Sequence, residues 1–229
     1  MAQVKKVEVR DRILAAATRL FAERSYALAT INQIAGAADT APSNVYVYFR
    51  SKLEIVFAIY GPWLKEHLET LAQEVEALRT PEAKVLRVVQ KLWREIPADR
   101  NAFANNLIQA VSSATQEDCY DPALLRWTEQ KIATILSRAL PPARAAEIDC
   151  LRFAHILMMA FDGFAVNQSI NRAIDCDDRM IEEMTAAILG VRAAELRLRL
   201  SGKGAARSSR SAKRHAGNAV SLPNRQHRQ

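Results

Sequence analysis

Three apolar stripes near the N-terminus, each with the spacing of one helix face, constrain this chain most. Residues of the first stripe recur at i, i+1, i+4, i+7 and i+8, which places them on one side of a helix. The stripes consist of Ile13, Leu14, Ala17, Leu20 and Phe21; of Ile31, Ile34, Ala35 and Ala38; and of Val45 and Phe49. Short helices with apolar faces and brief turns can close a small core. The spacing therefore predicts a helix-turn-helix over residues 10–55.

Residues at the predicted helix ends support this interpretation. Thr30 is followed by Gln33, and Ser51 by Glu54, which is the pattern of a capping box in each case. In the turn between the second and third helices, Asp39 tolerates the left-handed backbone that a tight turn uses. The third helix is predicted from about Pro42, where a proline suits the first turn, to Phe49.

Sixteen residues of this segment carry a resemblance to a known family. They are Arg10, Ile13, Leu14, Ala17, Leu20, Phe21, Tyr26, Thr30, Ile34, Ala35, Ala38, Tyr46, Tyr48, Phe49, Ser51 and Lys52. In this register the segment, about a fifth of the chain, resembles the DNA-binding part of the TetR family of transcriptional regulators. The family pattern usually has Gly where this chain has Ser25 and Asp39, and Ser where it has Ala41. A missing cap at Ala41 costs about 1 kcal/mol of helix stability.

The resemblance implies an all-α fold with an N-terminal three-helix helix-turn-helix DNA-binding domain and a larger helical ligand-binding and dimerisation domain. We expect these domains at residues 1–51 and 52–200, with a basic, disordered tail at residues 201–229. The tail holds seven basic residues and no acid, so it carries the whole net charge of +7 and residues 1–200 sum to 7 − 7 = 0. Two roles stay open for the tail: a solvating segment without a task, or non-specific attraction to phosphate.

The predicted DNA-binding residues lie on the second and third helices and just after them. They are Thr30, Asn32, Thr40, Pro42, Ser43, Asn44, Tyr46, Tyr48 and Lys52. Asn44 can pair with adenine in the major groove, whereas Tyr46, Tyr48 and Lys52 offer donors to phosphate oxygens. Taken singly, these side chains also fit packing or ordinary surface positions. Their arrangement after a helix-turn-helix favours DNA contact.

The remainder of the chain reads as helical, with no repeat, Gly-rich phosphate loop or strand pattern. A helix from Lys52 is interrupted at Gly61-Pro62, since proline bends a helix. This bend is either a hinge or a fit to the core. Further helices are predicted over about residues 80–95, 100–114, 121–140, 143–170 and 177–200.

Two apolar stripes on the last two predicted helices mark a candidate interface. They comprise Ile148, Leu151, Ile156 and Met159, and Ile181, Met184, Ile188 and Val191. A monomer can bury both stripes internally. The family resemblance instead implies that the last two helices pair with their copies in a four-helix dimer bundle. A two-fold dimer also suits a palindromic operator.

Aromatic and Met residues of the body suggest a largely apolar ligand site with few polar anchors. The candidate ligand-binding residues are Tyr60, Trp63, Trp93, Phe103, Asn106, Trp127, Met158 and Asp162. Further polar candidates are Asn105, Gln109, His155 and Asn167. Ordinary core packing is the competing interpretation for each of them.

Other classes of protein find little support in the sequence. No run of eighteen apolar residues predicts a membrane span, and the N-terminus lacks the apolar core of a signal peptide. Cys119, Cys150 and Cys176 are odd in number and suit a reducing cytoplasm. We predict no metal, no cofactor and no catalytic group set.

By resemblance, the chain is a homodimeric repressor of operator DNA, released by a small, largely apolar effector. Two alternatives stay open: a ligand-independent regulator controlled by a protein partner, which would have a filled core, or a helical enzyme that keeps a DNA-binding head.

Overall fold

The computed structural model of the protein describes residues 2–99, 103–118, 120–171 and 176–201, with side chains from Lys6 onward except those of residues 167–171. Within these ranges every regular element is a helix. The helices are α1 Ala2–Leu28, α2 Ile31–Ala37, α3 Pro42–Tyr48, α4 Lys52–Ala77, α5 Pro81–Gln90, α6 Phe103–Ser112, α7 Ala123–Ala139, α8 Pro142–Glu147, α9 Cys150–Asn171, α10 Asp178–Leu189 and α11 Ala193–Leu200. A π-helical turn, Lys91–Glu95, extends α5, and a 3-10 turn, Gln116–Asp118, precedes α7. The all-α fold class is confirmed.

Helices α1, α2 and α3 form the head of the molecule, and the predicted apolar stripes form its core. Ile13, Phe21, Ile34 and Val45 are each 0% exposed. The predicted capping box of α2 is present: Gln33 N donates to Thr30 Oγ1 at 3.2 Å, and Thr30 N donates to Gln33 Oε1 at 3.0 Å. Local caps and core spacing thus specify the same short helices.

Three residues depart from the family pattern, and two of them have backbone angles that favour glycine. Ser25 interrupts α1 with φ 70° and ψ 163°, a region that residues other than glycine rarely adopt. Asp39, in the turn before α3, has φ 51°, as its predicted left-handed conformation requires. Ala41 precedes α3 without a side-chain cap. The head therefore keeps the expected fold in spite of these substitutions.

Helices α4 to α11 form the body. Helix α4 joins head to body and continues through Pro62 to Ala77, without the predicted interruption. Ser51 begins it by accepting a hydrogen bond from Glu54 N at 3.3 Å. Helix α4 packs against α5, α6 and α7, and α7 packs against α9. Among the described helices, none combines the length and the hydropathy of a membrane span.

The two predicted C-terminal helices are each broken into two, which corrects their boundaries. Ile148 is extended, and Asp149 Oδ1 accepts from Leu151 N at 3.0 Å, so a new helix begins there. Gly190 has the left-handed φ of 71° that ends α10. An apolar periodicity continues across both breaks, which is why the sequence suggested longer helices. The predicted tail of residues 201–229 lies, apart from Ser201, outside the described residues.

We expect Ser25→Gly to raise the free energy of unfolding by about 1 kcal/mol, since glycine removes a strain of roughly 1–3 kcal/mol but orders a more flexible unfolded chain. Thermal unfolding followed by circular dichroism would measure the change. Ser25→Ala is the matched control, because alanine is strained at the same backbone angles and should give no gain. An equal effect of both substitutions would contradict strain at Ser25.

Candidate DNA-binding surface and ligand cavity

Helix α3 presents most of the predicted DNA-binding side chains to solvent. Val45 anchors the helix in the core, whereas Tyr46 is 55% and Val47 71% exposed. The remaining predicted residues are exposed (Thr30, Asn32, Pro42 and Ser43) or half-buried (Thr40, Asn44 and Tyr48). The structure thus brings these side chains together on adjoining parts of α2 and α3.

Asn44 retains an amide donor and an amide acceptor, which are the groups needed to hydrogen-bond an adenine. Its Nδ2 donates to Thr40 Oγ1 at 2.7 Å, which uses one of the two amide N–H donors. The second N–H and Oδ1 form no hydrogen bond with other described residues. An asparagine with one donor and one acceptor left can make a bidentate contact with a base.

Lys52 is engaged inside the protein, which differs from the predicted phosphate contact. Its Nζ donates to Tyr26 O at 2.8 Å and to Ala29 O at 3.0 Å. The ammonium also lies 4.0 Å from the centroid of the Tyr26 ring. Burial lowers the pKa of Lys52, while the nearby carboxylate of Asp118 opposes this. Lys52 thus ties the start of α4 to the end of α1, a contact that the sequence spacing did not reveal.

An apolar cavity of about 360 Å³ lies in the body among α4, α6, α7 and α9. This volume is within the range of small-molecule sites. Three of the predicted ligand-binding residues, Phe103, Met158 and Asp162, line this cavity. Most of the other lining side chains are aliphatic or aromatic, and they include Leu64, Leu107, Ile108, Leu124, Ile132 and Phe161. The amphipathic pattern of α6 was the sequence signal that could have found Leu107 and Ile108.

Five of the predicted ligand-binding residues do not line this cavity. Trp93 Nε1 donates to Leu157 O at 3.0 Å in the core. Trp63 packs against Phe103, with ring centroids 4.7 Å apart. Tyr60 and Asn106 hydrogen-bond to each other at 2.8 Å. Trp127 lines a separate groove.

Three polar side chains lie on the α7–α9 side of the cavity. His155 Nδ1 and Glu129 Oε1 are 2.5 Å apart, and both residues line the cavity. Desolvation by apolar surroundings raises the pKa of Asp162. These groups can orient a polar end of a ligand by hydrogen bonding. The predicted anchor Asn167 lies outside the described side chains. No group of three or more metal-binding side chains occurs among the described residues.

Helix α6 uses its other face to hold the head. Asn106 is 0% exposed, and its Oδ1 accepts from Tyr26 N at 2.7 Å. Its Nδ2 donates to Phe21 O at 3.2 Å as well as to the Tyr60 hydroxyl. One turn away, Gln109 Oε1 accepts from Ala27 N at 3.0 Å. The same helix therefore contacts both the cavity and the α1 segment beside Ser25.

Only one of the two predicted dimer stripes is accessible. On α9, Leu151 is 49%, Ile156 48% and Met159 62% exposed, and Ile148, just before this helix, is half-buried.

On α10, the prediction is wrong for Ile181 and Ile188. These side chains are 1% and 0% exposed because α10 packs against α5 of the same chain. Met184 is half-buried. A continuous interface over both stripes would need the protomer core to open.

We expect Lys52→Ala to lower the free energy of unfolding by roughly 1.5–3 kcal/mol, since hydrogen bonds from a charged donor to two carbonyl groups are lost. Denaturant unfolding would measure this loss. Lys84→Ala is the control, since the Lys84 side chain forms no hydrogen bond or ion pair with described residues. Unchanged stability in Lys52→Ala would contradict the structural role.

Comparison with known proteins matches residues 13–59 to the family described as bacterial regulatory proteins, tetR family. Over 95 residues the chain is 32% identical to the HTH-type transcriptional regulator HbdR of Aromatoleum sp. (strain CIB), which covers 42% of each chain. The chain spans less than half the length of the curated relatives it matches.

Two solved structures share the fold of the larger part of the chain. The fatty acid degradation regulator FadR from Bacillus halodurans has a TM-score of 0.59 at 18% identity, covering 79% of this chain and 98% of that one. The regulator FadR from Bacillus subtilis, solved in complex with stearoyl-CoA, has a TM-score of 0.57 at 17% identity, covering 78% and 95%. The chain is therefore similar in sequence to the tetR family of bacterial regulatory proteins over residues 13–59, and similar in fold to these two regulators over the larger part of its length.

Proposed function

We propose that this protein is a homodimeric repressor that binds a palindromic operator and is released by a small, largely apolar ligand. Residues 1–51 would read DNA, and residues 52–200 would bind the ligand and the second copy. The observation that carries this proposal is the position of α6, which lines the cavity on one face and binds α1 on the other.

The solvent-exposed side chains of α3 support a role in DNA binding. Side chains at the start of a recognition helix meet base edges, while flanking hydroxyl groups contact phosphates. Asn44 and Ser43 lie at that start, and Tyr46 follows on the exposed side. Lys52 is not included, because its ammonium is bound to carbonyl groups of α1 and its neighbouring turn.

The exposed apolar row on α9 supports a dimer. Leu151, Ile156 and Met159 are each about half exposed or more, and a row of large apolar side chains on one helix is typical of an interface. A two-fold dimer would place two α3 helices about one turn of duplex apart, ~34–36 Å, to read a palindrome.

The cavity supports an apolar ligand. Its lining is dominated by aliphatic and aromatic side chains, with Glu129, His155 and Asp162 on one side. The related fold of Bacillus subtilis FadR was solved with stearoyl-CoA, so an acyl compound is the first class to test here. The cavity also argues against the ligand-independent alternative, which would have a filled core.

Release of DNA would follow from movement of α6. A ligand can shift the head only if it binds one head orientation more tightly than another. Leu107 and Ile108 contact the cavity, while Asn106 and Gln109 contact α1. A small rotation of α6 by the ligand would therefore disturb hydrogen bonds that orient the head. The enzyme alternative has no comparable support, since the relatives compared above are regulators.

We expect Tyr46→Ala and Asn44→Ala each to weaken operator binding by about tenfold, because one phosphate contact or one bidentate base contact contributes on the order of 1–3 kcal/mol. The operator would be selected from a random-sequence DNA pool with the full-length protein. Binding would then be measured across a salt series by fluorescence anisotropy.

Gln130→Ala, an exposed change on α7, is the control and should bind like the unchanged protein. Selection of a palindrome is expected. Strongly salt-dependent binding without sequence preference, unaffected by either substitution, would overturn the proposed DNA-reading role and point to the basic tail.

We expect Met159→Glu to shift the protein from dimer to monomer, because a charge would be buried at the centre of the proposed interface. Sedimentation velocity of the full-length protein would measure the shift. Leu28→Glu is the matched control, since Leu28 is 70% exposed on the head and should leave the dimer intact. The α9 interface would be ruled out if the protein without substitutions is a monomer, or if the Met159→Glu variant remains a dimer.

A further inference from the structure

A second space lies where the head meets the body. This groove has a volume of about 820 Å³. The head contributes Arg10 from α1 and Arg50 from the segment after α3, and the body contributes Lys65 from α4 and Trp127 from α7. The groove therefore touches both the head and the body, whose relative orientation would govern DNA binding under the proposed function.

The groove adjoins the apolar cavity. Phe57, Tyr120 and Leu124 line both spaces, so these side chains form the partition between them. The ring centroids of Phe57 and Tyr120 are 5.6 Å apart, and Tyr120 is 36% exposed. A passage from the groove to the cavity would therefore run between these side chains.

The cations of the groove are available for a ligand. Arg10, Arg50 and Lys65 form no ion pair or side-chain hydrogen bond with any other described residue. Lys65 Nζ lies 5.4 Å from the centroid of the Trp127 ring, and Arg10 makes a similar contact with Phe49. Such contacts with ring faces leave the N–H donors of both cations free for an anion.

The acids of the groove are held by their own partners. Glu54 Oε2 accepts from Arg50 N at 2.6 Å, and Asp118 Oδ2 accepts from Thr115 N at 2.9 Å. Asp121 Oδ1 accepts from Ala123 N at 2.9 Å. The formal charges of the groove cancel, 3 − 3 = 0. However, the acids are engaged in local turns and caps, whereas the three cations form no ion pair with any described residue.

We propose that the groove binds the phosphorylated headgroup of the effector, whose apolar chain passes between Phe57 and Tyr120 into the cavity. This inference rests on the ligand-responsive function proposed above and specifies its ligand as an anionic amphiphile. Arginine and lysine are the side chains that bind phosphate. Because the headgroup would contact Arg10 and Arg50 of the head and Lys65 of the body, its affinity would depend on head orientation.

The test compares hexadecanoyl-CoA, methyl hexadecanoate and CoA alone as probes, by isothermal titration calorimetry with the full-length protein. Lys65→Gln is the informative variant, because Lys65 is exposed on the body and lies outside the proposed DNA surface. Lys84→Gln, a lysine on α5, is the matched control. We expect Lys65→Gln to weaken hexadecanoyl-CoA binding by roughly tenfold, as for loss of a charge-assisted hydrogen bond, and to leave methyl hexadecanoate binding unchanged.

Equal binding of hexadecanoyl-CoA by Lys65→Gln and Lys84→Gln would overturn the headgroup site. Binding of methyl hexadecanoate alone would also overturn it while leaving the apolar cavity function intact. If neither lipid binds, both the headgroup site and the proposed release by an apolar ligand are rejected. If Lys65→Gln instead weakens operator binding in the absence of lipid, the cation serves DNA phosphate and the headgroup site is rejected.

Discussion

The buried amide of Asn106 is the interaction on which the arrangement of head and body depends. It joins the backbone of α1 at Phe21 and Tyr26 to the Tyr60 hydroxyl of α4. Removing the amide would leave the Tyr26 N–H without its partner in the protein interior, at a cost of about 1–3 kcal/mol. Because hydrogen bonds depend on distance and angle, this contact fixes an orientation as well as contributing stability.

Other contacts at the same junction reinforce that orientation. Lys52 binds the carbonyl groups at the end of α1 and in the turn after it, and Gln109 binds the backbone at Ala27. All of them meet the chain between residues 26 and 29, just beyond Ser25, where the backbone is strained. A strained residue persists where neighbouring contacts over-determine it. The junction therefore combines a weak point in α1 with several polar contacts that hold it.

The fold was predictable from sequence where local signals agree with core spacing. The helices of the head follow from its apolar stripes. Capping residues mark where individual helices begin, as Thr30 does for α2 and Thr80 for α5. The predicted helix boundaries were wrong at Asp149 and Gly190. The apolar periodicity continues across both positions, whereas a single capping residue or glycine ends one helix and begins the next. The buried state of Ile181 and Ile188 depends on packing of α10 against α5, and spacing within one helix cannot distinguish a core face from a dimer face.

The candidate sites also differ in how far the sequence predicts them. Residues of α3 were predictable because a short motif specifies both their helix and their exposed face. The cavity lining was only partly predictable, since a wide aromatic side chain such as Trp93 fills the core while Leu107 lines the empty space. Which face of α6 meets the cavity and which meets the head depends on its tertiary neighbours.

We infer that α6 sets the orientation of the head, the part of the molecule proposed to bind DNA. The most direct test is the operator affinity of full-length Gln109→Ala, measured beside Gln130→Ala. Gln109 is only half-buried, so the variant should fold with its cavity intact. We expect Gln109→Ala to bind operator about fivefold more weakly or worse, the lower range of coupling between sites, and Gln130→Ala to be unaffected. Equal affinity of the two variants at equal stability would contradict a role of α6 in orienting the head.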